Sequence, residues 1–559
     1  IFSSLSNEVR ETILQKSSYL ILQKGKPLLL QGEKEEHFYL IVTGRFYVYQ
    51  EEKKITFLGE LGPHDTIGEL SLLADEISAV SIIANKNSSV LSFPKNSFLL
   101  LLQHTFPHLI KKLAKNVDLL LQKPTYFHKN EKFCFLPVNV QKQDFSQCIQ
   151  NFLQEVKEPH RHLTPKDFYE KDSFEEDSDA PYIFYEGENT LTPWTKWCMQ
   201  EADRIIFVIN PHLPYTCNLL DPFSSQFSPS FLSEEILFIH PKDSTPSRTD
   251  LWLQLHPCKA HHHLFLEDKK SYEHLYRILM GKGIHLVLGG GGARAFAHIG
   301  ILQACKESDF PIDRIGGSSI SALFGALYAL GFNVQDVCRD IFTNLHRLMD
   351  YTVPTVSLLE GKKFFKYLQE IFHELHIEDT WIPFFSVSSD IATLQPYMHT
   401  KGRIDKAILA SSSLPGIFPP VHKDGIFHID GSLSNILPLD LMAEFGKEGI
   451  IVGIDVALLQ EPKSHSQSPP YFSLGKYLLN KFIGKKDSFP TIFDTLLYST
   501  FLHSTSKKEE LLNQNLAHLY ICPPLQEISS LQFSAFDSIV EKGYQYATQH
   551  MDEWKKVIQ

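Results

Sequence analysis

Three short segments in the second half of the chain hold residue types that could perform acyl transfer. The glycine run Gly290–Gly292 follows one apolar stretch, and Ser319 follows another, just after Gly317. Asp430 follows the apolar-rich residues 426–429. A serine hydroxyl becomes a nucleophile when a base takes its proton, and the backbone N–H groups of a glycine loop can stabilise an oxyanion. These segments therefore predict a serine esterase site.

The residues around Ser319 predict a nucleophile on a sharp turn between a strand and a helix. Gly317, two residues earlier, permits the turn, and Ser321, two residues later, occupies a position that must be small because the helix packs closely there. Ser318 is a competing nucleophile, but a bulky β-branched residue stands at its small position. An ordinary glycine turn without catalysis is the alternative to both.

The glycine loop has two possible uses. Converging N–H groups from Gly290–Gly292, next to a helix N-terminus, suit an oxyanion. The loop also resembles a dinucleotide fingerprint, although Ala295 stands at its third glycine position. A dinucleotide site needs an acidic residue at the end of a second strand. Asp313 lies near the start of a predicted strand instead, which argues against a dinucleotide site. Arg294 either anchors the loop or meets a lipid phosphate.

Asp430 is the candidate base for the serine. It ends an apolar-rich run, and Gly431 after it allows close approach of another segment. Burial of the carboxyl would raise its pKa toward a useful value. Two alternatives stay open: an aspartate that only caps a turn, and a histidine-mediated triad through His298 or His428.

Taken together, these motifs resemble the patatin-like phospholipases. The resemblance is to the neuropathy target esterase branch, whose members place cyclic nucleotide-binding-like domains before the catalytic domain. Further segments that resemble this branch are 193–195, 260–263, 407–415, 417–420 and 435–438. The resemblance implies a Ser–Asp dyad of Ser319 and Asp430, without histidine, cofactor or catalytic metal. It implies an oxyanion site from Gly290, Gly291, Gly292 and Arg294.

The same resemblance implies the fold and the substrate. We expect a patatin-like three-layer α/β domain with a mostly parallel central sheet, which hydrolyses fatty-acyl esters of phospholipids or lysophospholipids. We expect a β jelly-roll cyclic nucleotide-binding-like domain at 1–123, a small α/β middle domain at 124–282, and the patatin-like domain with a helical C-terminal extension at 283–559. The elements predicted for the catalytic domain are strands 284–288, 312–316, 382–388 and 449–456 and helices 293–307, 319–331 and 439–446.

Three small positions depart from the family pattern. Ala295 and Ser321 stand where the family has glycine, and Ser432 stands where it has glycine or alanine. Overpacking at such positions often costs about 1–3 kcal/mol. The departures predict reduced activity or a narrower substrate range. They also motivate the alternative function, a catalytically weakened lipid- or protein-binding regulatory protein that keeps the patatin fold.

The segment 67–73 resembles the phosphate-binding cassette of cyclic nucleotide-binding domains. In that family Glu69 would hold the ribose hydroxyl, and an arginine about nine residues later would pair with the cyclic phosphate. No arginine occurs between Glu69 and Phe93. A phosphate in a pocket needs a positive partner or well-aimed amides. We therefore expect the fold without the nucleotide, and a nucleotide-gated enzyme remains a third possibility.

Composition excludes several classes of protein. The formal net charge of −12, without a basic stripe, argues against a nucleic-acid partner. No apolar run reaches the roughly 18 residues of a membrane span, and no secretory signal is visible. The eight cysteines form no CxxC pair, as is typical of reduced chains. Because adjacent side chains alternate along a strand, the tract His261–His263 favours a structural role over a metal site. We expect a cytoplasmic protein, peripheral at membranes.

Overall fold

The structure is a computed structural model of the chain. It describes residues 16–34, 36–51, 55–63, 65–68, 72, 77–95, 131–169, 180–213, 234–242, 244–343, 345–446, 448–457, 504–530 and 532–558. Most of the predicted nucleotide cassette, including Glu69, lies outside these residues, as does the predicted domain boundary at 123. The chain divides into two compact units, residues 1–239 with 258–261 and residues 240–257 with 262–559.

The first unit begins with a small antiparallel β structure, as the short apolar runs predict. Two four-stranded sheets have the strand orders β1-β8-β3-β6 and β2-β7-β4-β5. Alternating side chains of these strands, such as Phe46 and Val48, fill the core between them. The strands are β1 (Ser18–Leu22), β2 (Pro27–Leu29), β3 (His37–Thr43), β4 (Phe46–Glu51), β5 (Ile55–Leu61), β6 (Thr66–Ile67), β7 (Ser81–Ala84) and β8 (Ser88–Pro94).

An α/β layer follows, and its strands β9 to β12 lie in the same unit, which confirms the predicted class of the middle segment. Its sheet has the order β10-β11-β9-β12-β13-β14, and the pairs among β9 to β13 are parallel. The elements are β9 (Glu131–Pro137), α1 (Lys142–Glu155), β10 (His160–Leu163), α2 (Pro165–Tyr169), β11 (Tyr182–Glu186), α3 (Pro193–Glu201), β12 (Arg204–Ile209), β13 (Glu234–His240) and β14 (Ala260–Phe265).

The second unit is built on an eight-stranded sheet, and its central strands are parallel. The order is β19-β20-β17-β16-β15-β21-β22, with β18 paired to β17. Only the pairs among β17, β18, β19 and β20 are antiparallel. The strands are β15 (Ile284–Leu288), β16 (Arg314–Ser318), β17 (Phe384–Asp390), β18 (Pro396–His399), β19 (Val421–Lys423), β20 (Ile426–Asp430), β21 (Ile450–Ile454) and β22 (Leu519–Ile521).

Helices cover both faces of this sheet, which confirms the expected three-layer architecture. Alternate residues of β15 enter different cores: Leu286 and Leu288 belong to one, and Val287 belongs to the other. The helices are α4 (Thr249–Leu255), α5 (Lys269–Leu279), α6 (Phe296–Glu307), α7 (Ile320–Ala329), α8 (Val334–Thr343), α9 (Leu345–Leu348), α10 (Lys362–Phe372), α11 (Ile404–Ser411), α12 (Leu439–Phe445), α13 (504–513) and α14 (Phe536–Ile558).

The long terminal helix α14 packs directly on α6, the helix that follows the glycine loop. The two helices cross where each carries a glycine. A Cβ on Gly300 would collide with the Val540 carbonyl, and a Cβ on Gly543 would collide with the Ala297 carbonyl. Helix α14 therefore belongs to the core of the second unit and packs against the helix that follows the glycine loop.

A buried ion pair joins α5 to the strand that leads to the serine turn. The Asp313 carboxylate accepts hydrogen bonds from the Arg277 Nε (2.8 Å), the His274 Nδ1 (2.7 Å) and the Ile284 backbone N–H (2.9 Å). Burial alone would raise the pKa of Asp313, but the bonds from His274 and Arg277 outweigh it and hold this pKa well below its usual range. The carboxylate is therefore charged whenever the protein is folded near neutral pH.

Replacing Arg277 with alanine should destabilise the second unit by about 2–4 kcal/mol, because it removes one partner of a buried carboxylate. A group with a depressed folded pKa contributes stability above its unfolded pKa of about 3.9, and this contribution is lost as the pH falls below it. The loss should therefore be full at pH 7 and shrink below about pH 4. Thermal unfolding at a series of pH values measures it.

The matched control is Arg339→Ala, which breaks the exposed pair between Arg339 and Asp537. Exposed pairs contribute about 0–1 kcal/mol, so this variant should unfold almost like the wild type. Equal unfolding temperatures for the Arg277 and Arg339 variants at pH 7 would contradict the buried-pair account.

Candidate active site

Ser319 lies on a strained turn between strand β16 and helix α7. Its backbone has φ 60° and ψ −141°, a conformation that costs a non-glycine residue of order 1–3 kcal/mol. A Cβ on Gly317 would lie 3.0 Å from the Ala322 backbone nitrogen, so the helix packs closely at this turn as the spacing predicts. The turn lifts the Ser319 side chain beyond the carboxyl end of β16.

The Ser319 hydroxyl is bonded to the candidate base. Its Oγ donates a hydrogen bond to the Asp430 Oδ2 over 2.6 Å, although the two residues are 111 positions apart in the chain. Asp430 ends strand β20, whose register with β17 places it opposite Ser388. The antiparallel strands β17 and β20 therefore deliver the carboxylate to the serine turn.

Several bonds hold Asp430 in place. Its Oδ1 accepts the Ser432 backbone N–H at 2.8 Å, and its own N–H donates to the Ser413 carbonyl at 2.9 Å. The side chain is buried, and burial raises the pKa of Asp430 to about 6. The bonds from Ser319 and Ser432 act in the opposite direction. The carboxylate is thus a stronger base than an exposed aspartate and is still ionised near pH 7.

Gly431 allows the strand that carries Asp430 to approach its neighbour. A Cβ at this position would collide with the Val387 carbonyl oxygen of β17, and it would lie 2.8 Å from the Ser318 Oγ. Ser318 itself is buried, and its Oγ lies 3.5 Å from the Ser432 Oγ. The structure therefore brings Ser319, and not Ser318, to the Asp430 carboxylate.

The glycine loop offers two unengaged N–H groups. The N–H of Gly289 donates to the Ile454 carbonyl (2.9 Å), and that of Gly290 donates to the Ile436 carbonyl (2.8 Å). Within the described part of the chain, the N–H groups of Gly291 and Gly292 have no acceptor. Of the three glycines among the four predicted oxyanion residues, Gly291 and Gly292 therefore have N–H groups without an acceptor in the described part of the chain, while the bond from Gly290 fixes the loop.

Arg294 has the geometry of an anchor. Its side chain is buried, and its Nε donates to the Ile528 carbonyl over 2.7 Å. The neighbouring Ala293 N–H donates to the Ser530 carbonyl over 2.8 Å. A Cβ on Gly292, which has φ 59°, would collide with the same carbonyl of Ser530. The segment 528–530 thus holds the loop on its outer side.

The Gly289 carbonyl accepts two hydrogen bonds that the sequence analysis missed. One comes from the Ser321 Oγ (2.8 Å) and the other from the His298 Nε2 (2.8 Å). Burial lowers the pKa of His298 to about 4, so the ring is neutral and Nε2 carries its hydrogen. Ser321, a departure from the family pattern, therefore ties the nucleophile turn to the glycine loop. Its partner could not be inferred from spacing alone.

The two histidines considered for a triad lie elsewhere. The His298 Nε2 donates a hydrogen bond to the Gly289 carbonyl in the glycine loop. The His428 Nδ1 lies 2.9 Å from the Ser388 Oγ, and burial is the main cause that lowers the pKa of His428. The Ser388 Oγ also lies 2.7 Å from the His399 Nε2. Both histidines are therefore engaged with groups other than the Ser319 hydroxyl.

The described residues were also searched for metal-ligating groups and for helices that could span a membrane. No group of three histidine, cysteine, aspartate or glutamate side chains there could hold a metal ion. In the tract on β14, the His263 Nδ1 lies 2.9 Å from the His240 Nε2, and its Nε2 lies 2.8 Å from the Glu378 carbonyl. No described helix is long and apolar enough to cross a bilayer.

Two family models match separate segments of the chain. A family model described as "Patatin-like phospholipase" matches residues 286–443, and one described as "Cyclic nucleotide-binding domain" matches residues 20–105. Among solved structures, the Catabolite Activator Protein of Thermus thermophilus is 24% identical, with a TM-score of 0.20, over 22% of this chain and 60% of that chain.

Two curated relatives illustrate the similarity over the full chain. Patatin-like phospholipase domain-containing protein 7 of Rattus norvegicus is 26% identical over 96% of this chain and 45% of the relative. Neuropathy target esterase sws of Drosophila melanogaster is 26% identical over 96% of this chain and 43% of the relative. The chain thus spans less than half the length of these relatives. The chain therefore carries a segment that matches the patatin-like phospholipase model, preceded by a segment that matches the cyclic nucleotide-binding model, and over nearly its whole length it is similar to relatives that include a neuropathy target esterase.

Proposed function

We propose that the protein is a serine lipid-acyl hydrolase that cleaves fatty-acyl esters of lysophospholipids or phospholipids with a Ser319–Asp430 dyad. The observation that carries the proposal is the 2.6 Å hydrogen bond from the Ser319 Oγ to the buried Asp430 carboxylate. It lies next to a glycine loop in which the N–H groups of Gly291 and Gly292 have no acceptor among the residues that the structure describes. The family match supports a phospholipase-type hydrolase, and the dyad and the lipid class are our proposal.

The first half-reaction forms an acyl-enzyme. The Ser319 Oγ attacks the ester carbonyl carbon while its proton passes to the Asp430 Oδ2. The carbonyl oxygen becomes an oxyanion, which the N–H groups of Gly291 and Gly292 stabilise. The intermediate collapses, the ester C–O bond breaks, and the departing alcohol of the lipid takes the proton back from Asp430.

The second half-reaction releases the fatty acid. Asp430, ionised again, takes a proton from a water molecule that attacks the acyl-enzyme carbonyl. A second oxyanion forms at the same two N–H groups. It collapses to free the Ser319 oxygen, which recovers the proton from Asp430. The net change is one ester and one water converted to one fatty acid and one alcohol, with no metal or cofactor required in the sequence of steps.

The rate should follow the ionisation of Asp430. Because the pKa of this carboxyl is raised to about 6, kcat/KM should rise with pH, reach half its plateau near pH 6, and fall about tenfold per pH unit well below it. Initial rates of hydrolysis of a soluble short-chain ester between pH 4.5 and about 8 measure this profile. A rate that stays constant down to pH 4.5, with the protein still folded, would contradict a base of raised pKa.

A panel of lipids tests the substrate class. Purified protein should release fatty acid from lysophosphatidylcholine or diacyl phosphatidylcholine, with the Ser319→Ala variant as the blank. No release from any phospholipid, together with no labelling of Ser319 by a fluorophosphonate, would overturn the hydrolase and favour the alternative, a regulatory protein that keeps the fold.

The cyclic nucleotide-binding-type domain has a separate proposal. We propose that it serves as a structural or regulatory module without bound cyclic nucleotide, because the sequence holds no arginine between Glu69 and Phe93 to pair with the phosphate. A saturating concentration of cyclic AMP or cyclic GMP should leave the thermal unfolding midpoint unchanged. A ligand that binds the folded state at 100 times its Kd adds about 2.7 kcal/mol of stability, so a clear upward shift would overturn this proposal.

A further inference from the structure

Large apolar side chains are concentrated on one exposed loop of the catalytic unit, residues 351–358, here called the apolar loop. Tyr351, Val353, Val356 and Leu358 expose 78%, 74%, 69% and 44% of their surface. The residues from Tyr351 to Leu359 include no charged side chain. Scattered exposed apolar residues are normal on proteins, but a run of them on one loop marks a contact surface.

The apolar loop is a structured hairpin. Tyr351 and Leu359 form an antiparallel bridge, and the Thr352 N–H donates to the Leu358 carbonyl over 3.1 Å. At the tip, the Thr355 N–H donates to the Val353 carbonyl over 2.7 Å. The fold therefore holds these apolar side chains in water at a cost, which a partner that buries them would remove.

The backbone at the tip of this hairpin limits how deep a lipid contact can be. Pro354 has no N–H, and the Ser357 hydroxyl donates to the Leu359 carbonyl over 2.6 Å. Among the described residues, the N–H groups of Val353 and Val356 have no hydrogen-bond acceptor. Because unsatisfied backbone groups are costly among acyl chains, we expect the side chains of the tip to enter the lipid while its backbone stays at the hydrated headgroups.

The hairpin is attached to the segment that positions the candidate base. The N–H groups of Leu358 and Leu359 donate to the carbonyls of Gly416 and Ile417, each over 2.9 Å. This segment directly follows Ser413, whose carbonyl accepts the Asp430 N–H. The apolar loop therefore stands at the rim of the candidate active site.

Basic side chains flank the base of the hairpin. Arg347 precedes it, and Lys362 and Lys363 follow it on the first turn of α10, all three exposed. The two acidic residues there are Asp350, whose carboxylate accepts the N–H groups of Gly361 and Lys363, and Glu360, which is exposed. Residues 347–363 thus carry three basic and two acidic side chains, in a chain whose net charge is −12. Long basic side chains beside an apolar anchor can reach anionic headgroups.

We propose that the apolar loop inserts into a phospholipid surface with anionic headgroups and brings the rim of the site to its substrate. This inference rests on the proposed function, since a hydrolase of bilayer lipids needs access to a surface. The partner is a lipid surface and not a protein because an uncharged apolar tip and exposed basic side chains at its base occur together.

Sedimentation with vesicles of phosphatidylcholine and phosphatidylserine tests the inference. The double variant Val353→Asp/Val356→Asp should bind at least ~10-fold more weakly than the wild type, because charged side chains are excluded from the apolar region. The matched control is Leu255→Asp, at an exposed leucine on α4, which should bind like the wild type. Val353→Leu/Val356→Leu should retain binding. Wild-type binding by the double aspartate variant, or no vesicle binding by the wild type, would overturn the inference.

A soluble short-chain ester separates this inference from the proposed hydrolase. The double aspartate variant should cleave it within about twofold of the wild-type rate, because the loop contributes no reacting group. If the wild type cleaves no ester and binds vesicles, and the double aspartate variant does not bind them, the inferred lipid contact is supported and the proposed hydrolase is contradicted. If the ester is cleaved but vesicle binding ignores the loop, the hydrolase stands and the lipid contact falls.

Discussion

Replacing Ser319 with alanine should reduce fatty-acid release from lysophosphatidylcholine by at least ~10³-fold, because removal of the attacking oxygen leaves only binding and oxyanion stabilisation. The fold should be retained. Alanine is smaller than serine, and the strained φ of 60° comes from the tight turn itself. Fatty-acid release measured beside the thermal unfolding midpoint separates loss of chemistry from loss of structure.

The matched control for that variant is Ser318→Ala. Ser318 is adjacent, buried, and lies near the Ser432 hydroxyl instead of the Asp430 carboxylate. Its loss should leave activity within about tenfold of the wild type, as expected for a side chain that only packs beside the site. Full loss in Ser318→Ala with activity kept in Ser319→Ala would assign the nucleophile to the other serine.

Replacing Asp430 with asparagine should have an effect of similar size, with activity lowered by about 10³-fold or more, because an amide of the same shape cannot accept the serine proton. Asparagine can keep the bond from the Ser432 N–H at its Oδ1, and its Nδ2 can donate to the Ser319 Oγ, so the turn should stay in place. Single-turnover acylation by a fluorophosphonate should slow along with hydrolysis.

Two controls make the Asp430 variant specific. Asp390→Asn changes a carboxylate on the neighbouring strand β17, whose partners are Ala392 and Thr393, and it should leave the rate nearly unchanged. His428→Gln removes the histidine closest in sequence to Asp430. The Nδ1 of this histidine lies 2.9 Å from the Ser388 Oγ. If His428→Gln were as damaging as Asp430→Asn, while protein stability stayed at the wild-type level, a histidine-mediated mechanism would replace the dyad.

Local pattern predicted much of the catalytic unit. Strand 284–288 is found as predicted, and the predicted helix 439–446 is observed as Leu439–Phe445. The strand predicted at 312–316 is displaced to Arg314–Ser318, because Gly317 and Ser318 continue the ladder with β17. Alternating and helical periodicities indicate which face of an element is buried. They do not indicate where a strand ends, because its end depends on how many of its residues pair with a neighbouring strand.

The start of the helix after the glycine loop shows what pattern cannot supply. The sequence pattern predicts a helix from residue 293, whereas a 3₁₀ turn at Gly292–Ala295 precedes α6, which begins at Phe296. That turn is held by Ser530 and by the Arg294 bond to Ile528, more than 200 residues away in sequence. Local pattern also cannot predict which N–H groups of the glycine loop lack an acceptor among the described residues. The acceptors of the Gly289 and Gly290 N–H groups, Ile454 and Ile436, are distant in sequence.

The departures from the family pattern acquire definite partners in the structure. Ser321 donates to the Gly289 carbonyl, and the backbone N–H of Ser432 donates to Asp430. The Ser432 hydroxyl also lowers the pKa of the Asp430 carboxyl. The two added hydroxyls therefore bond within the site. Whether they also reduce activity stays a prediction, which Ser321→Gly and Ser432→Gly would test by their effect on kcat.

The most direct test of the dyad is to map the site of covalent modification. After reaction with a fluorophosphonate at pH 7.5 to about 8, where Asp430 is ionised, peptide mass spectrometry should find one adduct, on Ser319, and none in the Asp430→Asn protein on the same timescale. An adduct on Ser318 or on another serine, or equal labelling of the Asp430→Asn protein, would contradict a Ser319 nucleophile activated by Asp430.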